Sequence, residues 1–384
     1  MKNFTEIGVD LTKLISNLFN FLENNPNYFQ KTEFKDIALG PVSRTNDYAE
    51  LCKIWAKKRN DYLIYAKKRP CPCCNDEHCE PLFISQDGYP YVKCDTCDMW
   101  YVSDYIPDEI WTKYQQQESL VATLHDRQFA YNCSSEYYES DQLRFKSYFD
   151  TIKKFLPNNS LAGLRYLDIG CFTGNSLRVA QTYKMEAFGI ENSQRVLDYI
   201  QNNHISLNIY LANADVADVF PNQKFDLIGI WETLEHNPDP LKRLLQARSL
   251  LEKGSLLALT VPNANSAAPL ILKDYCFYCI GGADTQGHIN MFSIDTISKL
   301  LGNAGFKPVF VETIYSTDWT QIMYYLSGHW SKIFCIKNIM SGSCFQYQNP
   351  LWIKELSNLI GVELSRLEKK LMLGPMIFLL AEAI

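Results

Sequence analysis

Short apolar runs alternate with amphipathic stretches between residues 151 and 314. The apolar runs have the length of buried strands, and the stretches between them repeat their apolar residues at helical spacing. Strands that alternate with helices in this way build a parallel sheet with helices on both faces. The pattern therefore predicts an α/β domain over residues 151–314.

The first of these strands leads into a glycine-bearing turn, in the stretch RYLDIGCFTGNS at residues 165–176. The apolar run ends in Asp168, and Gly170 and Gly174 supply the conformational freedom that a tight turn requires. A strand, a loop and a helix N-terminus in this order form a crevice that binds the anionic end of a nucleotide-like ligand. Phe172 stands where the dinucleotide pattern has its middle glycine, so a ligand without a pyrophosphate fits this loop better.

Two further predicted strands also end in acidic residues. Glu191 follows the second apolar run, where a carboxylate is placed to bind two ribose hydroxyls. Asp215 follows the third run and is within reach of an adenine amino group. Together with Asp168, these residues predict a site for an adenosine-containing ligand at the carboxyl edge of the sheet.

The loop after the fourth strand is rich in ionisable side chains, and a second histidine follows the fifth strand. Glu232, Glu235 and His236 form an E-x-x-E-H run, and His288 comes later in the chain. In one interpretation, His236 or His288 is a general base tuned by a neighbouring glutamate. In a second, the four side chains bind a divalent cation that holds substrate oxygens. In a third, Glu235 and His236 only cap the helix that begins near Asp239.

Residues 140–315 resemble a class I S-adenosylmethionine-dependent methyltransferase, in the large subgroup whose fourth-strand loop reads Leu-Glu-His. The matching positions are Asp168, Gly170, Gly174, Glu191, Asp215, Leu234, Glu235 and His236. The resemblance implies a Rossmann-like, seven-stranded, mostly parallel sheet that binds S-adenosylmethionine, with Trp231 at the tip of the fourth strand as a further cofactor contact. It also implies a helical insertion at 315–372 over the substrate side and a final antiparallel strand at 373–384, at the edge of the sheet.

Thirteen cysteines are present, and four of them form two C-x2-C pairs, Cys71 with Cys74 and Cys94 with Cys97. Two such pairs present four thiolates in a tetrahedral set, which predicts a structural zinc site with no open coordination position. Three nearby side chains are candidates for the same roles, namely Cys73, His78 and Cys79. We favour the pair of Cys71 and Cys74 because its spacing matches that of the second pair. Zinc would stabilise a small ribbon over residues 70–103 that has little core of its own.

The stretches that flank the ribbon carry weaker signals. Residues 1–69 show helical apolar spacing, and their basic cluster, which includes Arg69, is interpreted as a solvated helix face. Contact of this cluster with a phosphorylated substrate is the alternative. Residues 104–150 are rich in tyrosine and are expected to form linker or lid helices. A tyrosine there either packs between the ribbon and the α/β domain or faces a sulfonium.

Composition narrows the class of protein. A chain of 384 residues with 47% hydrophobic residues is a folded protein rather than a disordered one. A net charge of −6 argues against a nucleic acid as the main partner. The first residues do not read as a secretion signal, and no apolar run is long enough to cross a membrane. Bunched cysteines in such a chain indicate reduced thiols, and we expect a cytoplasmic location.

These observations predict S-adenosylmethionine-dependent methyl transfer to a small hydroxyl or carbon-acid substrate. The ribbon resembles that of zinc-ribbon sugar C-methyltransferases, so a nucleotide-linked sugar or a natural-product intermediate is a candidate acceptor. Two alternatives stay open. One is a divalent-metal-dependent O-methyltransferase, including one that acts on RNA 3′ ends, and the other is a non-catalytic module that binds the cofactor and recruits a partner. The sequence predicts no oligomeric state.

Overall fold

The structure of the protein is a computed structural model. It describes residues 60–85, 88–107, 129–203, 205–211, 216–272, 287–315 and 368–384, together with residues 57, 109–110, 113, 126, 317 and 364. The predicted helical segment over 1–69 and the predicted insertion over 315–372 lie almost entirely outside this part of the chain. Asp215 lies outside it as well.

Two small antiparallel sheets come first in the described chain. The strands of this region are β1 (Lys67–Lys68), β2 (Cys79–Ile84), β3 (Pro90–Cys94), β4 (Trp100–Val102) and β5 (Asp104–Tyr105). The strands β2, β3 and β4 pair in sequence order, and β1 pairs with β5. We call residues 70–103 the ribbon. Of its four zinc-ligand candidates, two lie at the turn that precedes β2, one at the end of β3 and one in the turn before β4.

Helices and strands then alternate through the α/β domain. In chain order they are α1 (Ser135–Ile152), β6 (Arg165–Ile169), α2 (Asn175–Thr182), β7 (Glu186–Glu191), α3 (Gln194–Asn202), β8 (Asn208–Leu211), α4 (Val216–Val219), β9 (Phe225–Trp231), α5 (Pro240–Ser249), β10 (Leu251–Pro262), α6 (Ala267–Leu272), β11 (Asn290–Met291), α7 (Ile294–Asn303), β12 (Phe306–Ile314) and β13 (Met376–Ala383). A single turn of 3-10 helix, Leu234–His236, follows β9.

Seven of these strands form one sheet in the order β12, β13, β10, β9, β6, β7, β8. The pairs from β10 through β8 are all parallel, and β13 runs antiparallel to both of its neighbours. The predicted seven-stranded, mostly parallel α/β fold is confirmed. Because the central strands are covered on both faces, their sequences read as continuous apolar runs rather than as alternating patterns.

Helices on the two faces of the sheet enclose separate hydrophobic cores. On one face Ile228 and Ile230 of β9 pack with Leu244 of α5 and with α7. On the other face Leu227 and Trp231 of β9 pack with α1 and α2. Successive residues of a strand point to opposite faces, so this alternation decides which β9 side chains reach which helices.

The last strand does not lie where the resemblance placed it. Residues 373–384 were expected at the edge of the sheet, but β13 lies between β10 and β12, and β12 forms the edge. The expected antiparallel direction is correct. The run Ile377–Ala381 is fully buried because β13 is covered on both faces and hydrogen-bonded on both sides.

The ribbon packs against the α/β domain on the side of α7. Cys71, Cys73 and Tyr101 belong to the same hydrophobic core as Leu300 of α7. The short strand β11 pairs with β4, so a segment of the α/β domain becomes the fourth strand of the ribbon sheet. The two units are therefore joined by a shared core and by a shared sheet.

The chain leaves the carboxyl edge of the sheet at the end of β12 and returns there to begin β13. Near the two ends of this connection, the Thr317 backbone N–H donates to Glu368 Oε2 at 3.2 Å. The Glu368 side chain is buried, and it also accepts from the Thr317 hydroxyl. No helix among the described residues is long and apolar enough to span a membrane.

Candidate active site

The glycine loop, residues 170–174 between β6 and α2, turns sharply at the carboxyl edge of the sheet. Gly170 and Gly174 have φ angles of 85° and 77°, in the left-handed region that favours glycine. A Cβ at Gly170 would lie 2.6 Å from Thr233 Oγ1, and a Cβ at Gly174 would lie 2.5 Å from Leu207 Cδ1. The loop has no room for side chains at these positions, and it lies directly against the loop that follows β9.

Phe172 occupies the position of the middle glycine in the dinucleotide pattern. Its φ angle of 45° is left-handed, which is a strained conformation for a bulky side chain. Its ring packs edge-on against Phe129, with the ring centroids 5.8 Å apart. Its backbone N–H donates to Glu191 Oε2 at 2.9 Å. The strained turn is thus held by the acid at the tip of the second parallel strand.

Glu191 accepts two more hydrogen bonds from its own strand end. The backbone N–H groups of Asn192 and Ser193 donate to Oε1 at 2.8 and 2.9 Å. Burial raises the pKa of Glu191, and the three backbone N–H groups work against that increase by stabilising the carboxylate. The structure therefore brings Glu191 to the glycine loop, as the sequence predicts.

Asp168 lies beneath the same loop and is almost fully buried. Ser176 Oγ donates to Oδ2, but Oδ1 has no hydrogen-bond partner among the described residues. Burial raises the pKa of Asp168 to about 7. An unpartnered buried carboxylate oxygen is costly, so this atom is ready to accept a hydrogen bond from a ligand that reaches the loop.

Arg144 of α1 is a candidate site residue that the sequence analysis missed. Its Nη2 lies 2.9 Å from Asp141 Oδ1, and its Nη1 donates to Glu232. Its Nε is buried without a hydrogen-bond partner in the described part of the chain. The positive charge also lowers the pKa of Asp168, although burial of that carboxylate has the larger, opposite effect. Nothing in the spacing of a tyrosine-rich helix distinguishes this arginine from a surface one.

Glu235, His236 and His288 come together at the same edge of the sheet. Their ligand atoms all lie within 4.8 Å of one another, and the two histidine rings have centroids 4.8 Å apart. Neither carboxylate oxygen of Glu235 has a hydrogen-bond partner among the described residues, and burial raises its pKa well above the usual range. Burial and the nearby His236 lower the pKa of His288. Three of the four side chains that the sequence grouped therefore meet in space.

The backbone around this cluster is held by specific hydrogen bonds. His236 Nδ1 lies 2.8 Å from the Gly287 carbonyl oxygen. Because a carbonyl only accepts, Nδ1 carries the proton and the lone pair of the neutral ring is on Nε2. Asn290 Nδ2 donates to the Asn237 carbonyl oxygen at 2.7 Å, which links the loop after β9 to β11. The helix α5 begins one residue after its N-cap, Asp239, as predicted.

Two residues that were predicted for the site have other partners. The Trp231 indole is buried in the core, stacks on Tyr148 with centroids 5.2 Å apart, and donates to Tyr166 Oη at 2.8 Å. The side chain points to the α1 face because of its position in the strand alternation of β9. Glu232 has a left-handed φ angle of 49° and pairs with Arg144 instead of joining the histidines.

The four predicted cysteines form a second cluster, inside the ribbon. Cys71 Sγ lies 3.6 Å from Cys97 Sγ, and Cys74 Sγ lies 3.5 Å from Cys94 Sγ. All four sulfur atoms are within 4.8 Å of one another. Cys73 is not part of this cluster, because its thiol donates to the Thr296 carbonyl oxygen of α7 at 3.6 Å. His78 is exposed and bonded to Asp76.

The sequence of the α/β domain matches a protein family described as "Methyltransferase domain" over residues 140–311. We refer to residues 140–311, the part of the chain that matches this family, as the methyltransferase domain. The glycine loop, Asp168, Glu191 and the cluster of Glu235, His236 and His288 all lie within the methyltransferase domain. The four-cysteine ribbon precedes it.

Two curated proteins illustrate the similarity of the methyltransferase domain to known enzymes. A "Ubiquinone biosynthesis O-methyltransferase" from Coxiella burnetii is 29% identical over 128 residues, which are 33% of this chain and 52% of that protein. A "27-O-demethylrifamycin SV methyltransferase" from Amycolatopsis mediterranei is 29% identical over 163 residues, which are 40% of this chain and 57% of that protein. The chain spans about half the length of these relatives.

Solved structures resemble the methyltransferase domain as well. The crystal structure of a SAM-dependent methyltransferase from Archaeoglobus fulgidus matches with 18% sequence identity and a TM-score of 0.42. The match covers 64% of this chain and 94% of the other.

Proposed function

We propose that this chain transfers a methyl group from S-adenosylmethionine to a hydroxyl or carbon acid of a small molecule. The observation that carries the proposal is the contact of Gly170 with Thr233, which joins the glycine loop to the loop of Glu235 and His236. A donor site and a proton-accepting site thereby share one edge of the sheet. The names of the two curated relatives support a small-molecule acceptor, and a nucleotide-linked sugar stays among the candidates.

The residues around the glycine loop fit S-adenosylmethionine. The unpartnered Asp168 Oδ1 suits its ammonium group, and the unpartnered Arg144 Nε suits its carboxylate. We assign Glu191 to the ribose hydroxyls and Asp215 to the adenine amino group. When bound, S-adenosylmethionine supplies a methyl group on a positively charged sulfur, which is the electrophile of the reaction.

His236 is the general base in this proposal. The hydrogen bond to the Gly287 carbonyl assigns the ring proton to Nδ1, so Nε2 is the ring atom that accepts the proton of the acceptor hydroxyl or carbon acid in this proposal. The buried Glu235 and the half-buried His288 lie beside the ring and set the polarity of its environment. A positioned base of this kind accelerates proton transfer by roughly 10²–10⁴-fold.

The test combines cofactor binding with turnover. Calorimetry should detect binding of S-adenosylhomocysteine to the wild type and not to Asp168→Ala. His236→Asn should bind S-adenosylhomocysteine normally and lose roughly 10²–10⁴-fold in turnover of whichever phenol, catechol or nucleotide-linked sugar the wild type methylates. A wild type that fails to bind S-adenosylhomocysteine at millimolar concentration would remove the proposal.

A divalent cation held by Glu235, His236 and His288 is the second candidate role of this cluster. Their ligand atoms lie close enough to share one ion, and a buried carboxylate without a hydrogen bond is expensive unless it is neutral or paired. The cation would bind a substrate oxygen and lower the pKa of its proton. Glu232 is left out of this set because it pairs with Arg144.

Metal dependence separates the two roles of the cluster. A cation at Glu235, His236 and His288 predicts that chelation abolishes turnover and that Mg²⁺ or Mn²⁺ restores it. The zinc content of the chain has to be followed in parallel, so that loss of ribbon zinc is not mistaken for loss of this cation. Turnover that survives chelation with unchanged zinc content supports His236 as an unassisted base.

We also propose a structural zinc ion in the ribbon. Four sulfur ligands at 2.3 Å from a tetrahedral centre are about 3.8 Å apart. The measured distances of 3.6 Å between Cys71 and Cys97 and of 3.5 Å between Cys74 and Cys94 fit that geometry. Burial raises the pKa of the Cys71 and Cys97 thiols in the metal-free protein, so zinc binding would release protons from them.

A further inference from the structure

Arg69 is buried at the junction of three segments, with 9% of its surface exposed. Its Nε donates to the Val102 carbonyl oxygen at 2.9 Å, and its Nη1 donates to the Pro238 carbonyl oxygen at 2.8 Å. Its Nη2 donates to the Ile289 carbonyl oxygen at 2.6 Å and to Asn290 Oδ1 at 3.0 Å. One guanidinium group therefore makes four hydrogen bonds, three of them to backbone carbonyls.

The accepting groups belong to the ribbon and to both histidine loops. Val102 ends β4 of the ribbon, Pro238 follows His236 by two positions, and Ile289 directly follows His288. The Asn290 side chain accepts from Arg69 and donates to the Asn237 carbonyl oxygen, so it extends the same network into the loop after β9.

The ribbon holds the His288 segment through additional contacts. The Val102 backbone N–H donates to the Ile289 carbonyl oxygen at 2.9 Å, and Tyr91 Oη of β3 donates to the His288 carbonyl oxygen. The Arg69 backbone N–H donates to the Ser103 carbonyl oxygen at 2.9 Å, which anchors the arginine to the ribbon itself. The ribbon thus sets the position of the guanidinium group, and its Nη1 and Nη2 atoms bind the two histidine loops.

We propose that Arg69 is a positioning residue that couples the ribbon to the orientation of His236 and His288. The inference rests on the proposed function only in that these two histidines carry the chemistry. A planar guanidinium with fixed donor directions holds several carbonyls at defined angles, and an ammonium group does not. A displacement of either imidazole ring by about 1 Å is enough to change the rate of a reaction that depends on its position roughly 100-fold.

The test uses Arg69→Met and Arg69→Lys, with Arg248→Met as the matched control. Arg248 also donates to three backbone carbonyls, those of Gly305, Leu251 and Ile384, but it lies at the opposite, amino edge of the sheet. Nitrogen-15 spectra of the histidine rings report the tautomer and environment of each ring without reference to activity. The chain has six histidines, which single substitutions assign.

We expect the wild-type His236 signal to be that of the Nδ1-protonated tautomer. In both Arg69 variants the His236 and His288 signals should shift toward mixed tautomers, while the exposed His78 of the ribbon stays unchanged. Turnover should fall roughly 10- to 100-fold in kcat, with the Kd of S-adenosylhomocysteine and the zinc content as in the wild type. Arg248→Met should lower the melting temperature and leave the ring spectra and kcat unchanged.

Asn290→Ala tests the same hydrogen-bond network if the Arg69 variants fail to fold. It keeps the bonds between Arg69 and the ribbon but cuts the link from β11 to the loop after β9, so the His236 signal should still shift. The proposal is overturned if folded variants of Arg69 or Asn290 keep wild-type His236 and His288 spectra, or if Arg248→Met shifts both rings as much. Because the spectra need no substrate, a failure to detect methyl transfer is a separate result.

Discussion

The Asp168 side chain combines a hydrogen bond from Ser176 on one oxygen with an unpartnered buried oxygen on the other. Its pKa of about 7 means that the cofactor-free folded chain takes up a proton that the unfolded chain, with an ordinary carboxyl group, has already released. The stabilising contribution of the protonated form is complete below about pH 4 and is lost as the pH rises through about 7.

We therefore predict that Asp168→Asn stabilises the cofactor-free protein at pH 8 and abolishes S-adenosylhomocysteine binding. The gain should approach about 4 kcal/mol in the free energy of unfolding, because the folded-state pKa of about 7 lies well above that of a free aspartate. The gain should shrink toward zero near pH 4, because the wild-type carboxyl is then protonated. Thermal denaturation at the two pH values and calorimetry measure the two effects. Asp226→Asn, at the amino edge of the sheet, is the control and should keep cofactor binding. Equal or lower stability of Asp168→Asn at pH 8 would contradict the assignment.

At the scale of single residues, sequence reasoning succeeds where the backbone alone decides the position. Asp168 and Glu191 end consecutive parallel strands, so their meeting at the glycine loop follows from the topology. The side-chain direction of Trp231 could not be predicted because a strand buried on both faces gives no alternation of apolar and polar residues. The direction of Glu232 depends on its left-handed φ angle, which the sequence does not signal at a glutamate. The burial of Arg69 was missed for a related reason, since its neighbours Lys67 and Lys68 are exposed and the cluster reads as a solvated surface.

The strand β13 pairs on both sides and is covered on both faces. Its order in the sheet could not be read from the sequence, since an apolar eight-residue run fits an edge or an interior place equally well. The neighbours of β13 are set by contacts between strands far apart in the chain, β10 and β12, which single-sequence patterns do not encode.

The interior place of β13 predicts an unequal cost for two paired residues. Leu379 of β13 is fully buried, and its register partner Val311 lies on the edge strand β12 and is only partly buried. Leu379→Ala should cost about 3–5 kcal/mol of unfolding free energy, and Val311→Ala about 1–2 kcal/mol. Urea denaturation of both variants measures the difference. The reverse ranking would mean that β13 is the true edge strand.

Two adjacent cysteines of the ribbon, Cys73 and Cys74, differ in their predicted role in zinc binding. Cys74 belongs to the sulfur cluster and Cys73 does not, although both follow Pro72. We predict one zinc ion per chain in the wild type and in Cys73→Ser, and loss of zinc with a lower melting temperature in Cys74→Ser. Metal analysis measures the zinc content, and thermal denaturation measures the melting temperature. Zinc loss in Cys73→Ser with retention in Cys74→Ser would show that the ligand set is wrong.

For the molecule as a whole, the ribbon and the methyltransferase domain share one hydrophobic core. Met99 and Tyr101 of the ribbon belong to the same cluster as Leu300 and Phe306, and β11 crosses between the units. Units that share buried surface and hydrogen bonds unfold together.

We predict a single cooperative unfolding transition for the ribbon and the methyltransferase domain. Calorimetry of the zinc-loaded chain should give equal calorimetric and van't Hoff enthalpies for this transition. Tryptophan fluorescence supplies an independent signal, because Trp100 lies in the ribbon and Trp231 in the methyltransferase domain. Separate melting of the Trp100 and Trp231 signals in single-tryptophan variants would show two independent units.

The bond between Thr317 and Glu368 closes the base of the connection from β12 to β13, at the carboxyl edge of the sheet. The entropic cost of closing a loop grows only slowly with its length. The pairing of β12 with β13 therefore depends little on how many residues lie between the two ends. The intervening stretch can therefore change in length and sequence at little cost to the stability of the sheet. We expect chains with this sheet and this glycine loop to diverge most in the segment that begins and ends at the carboxyl edge of the sheet.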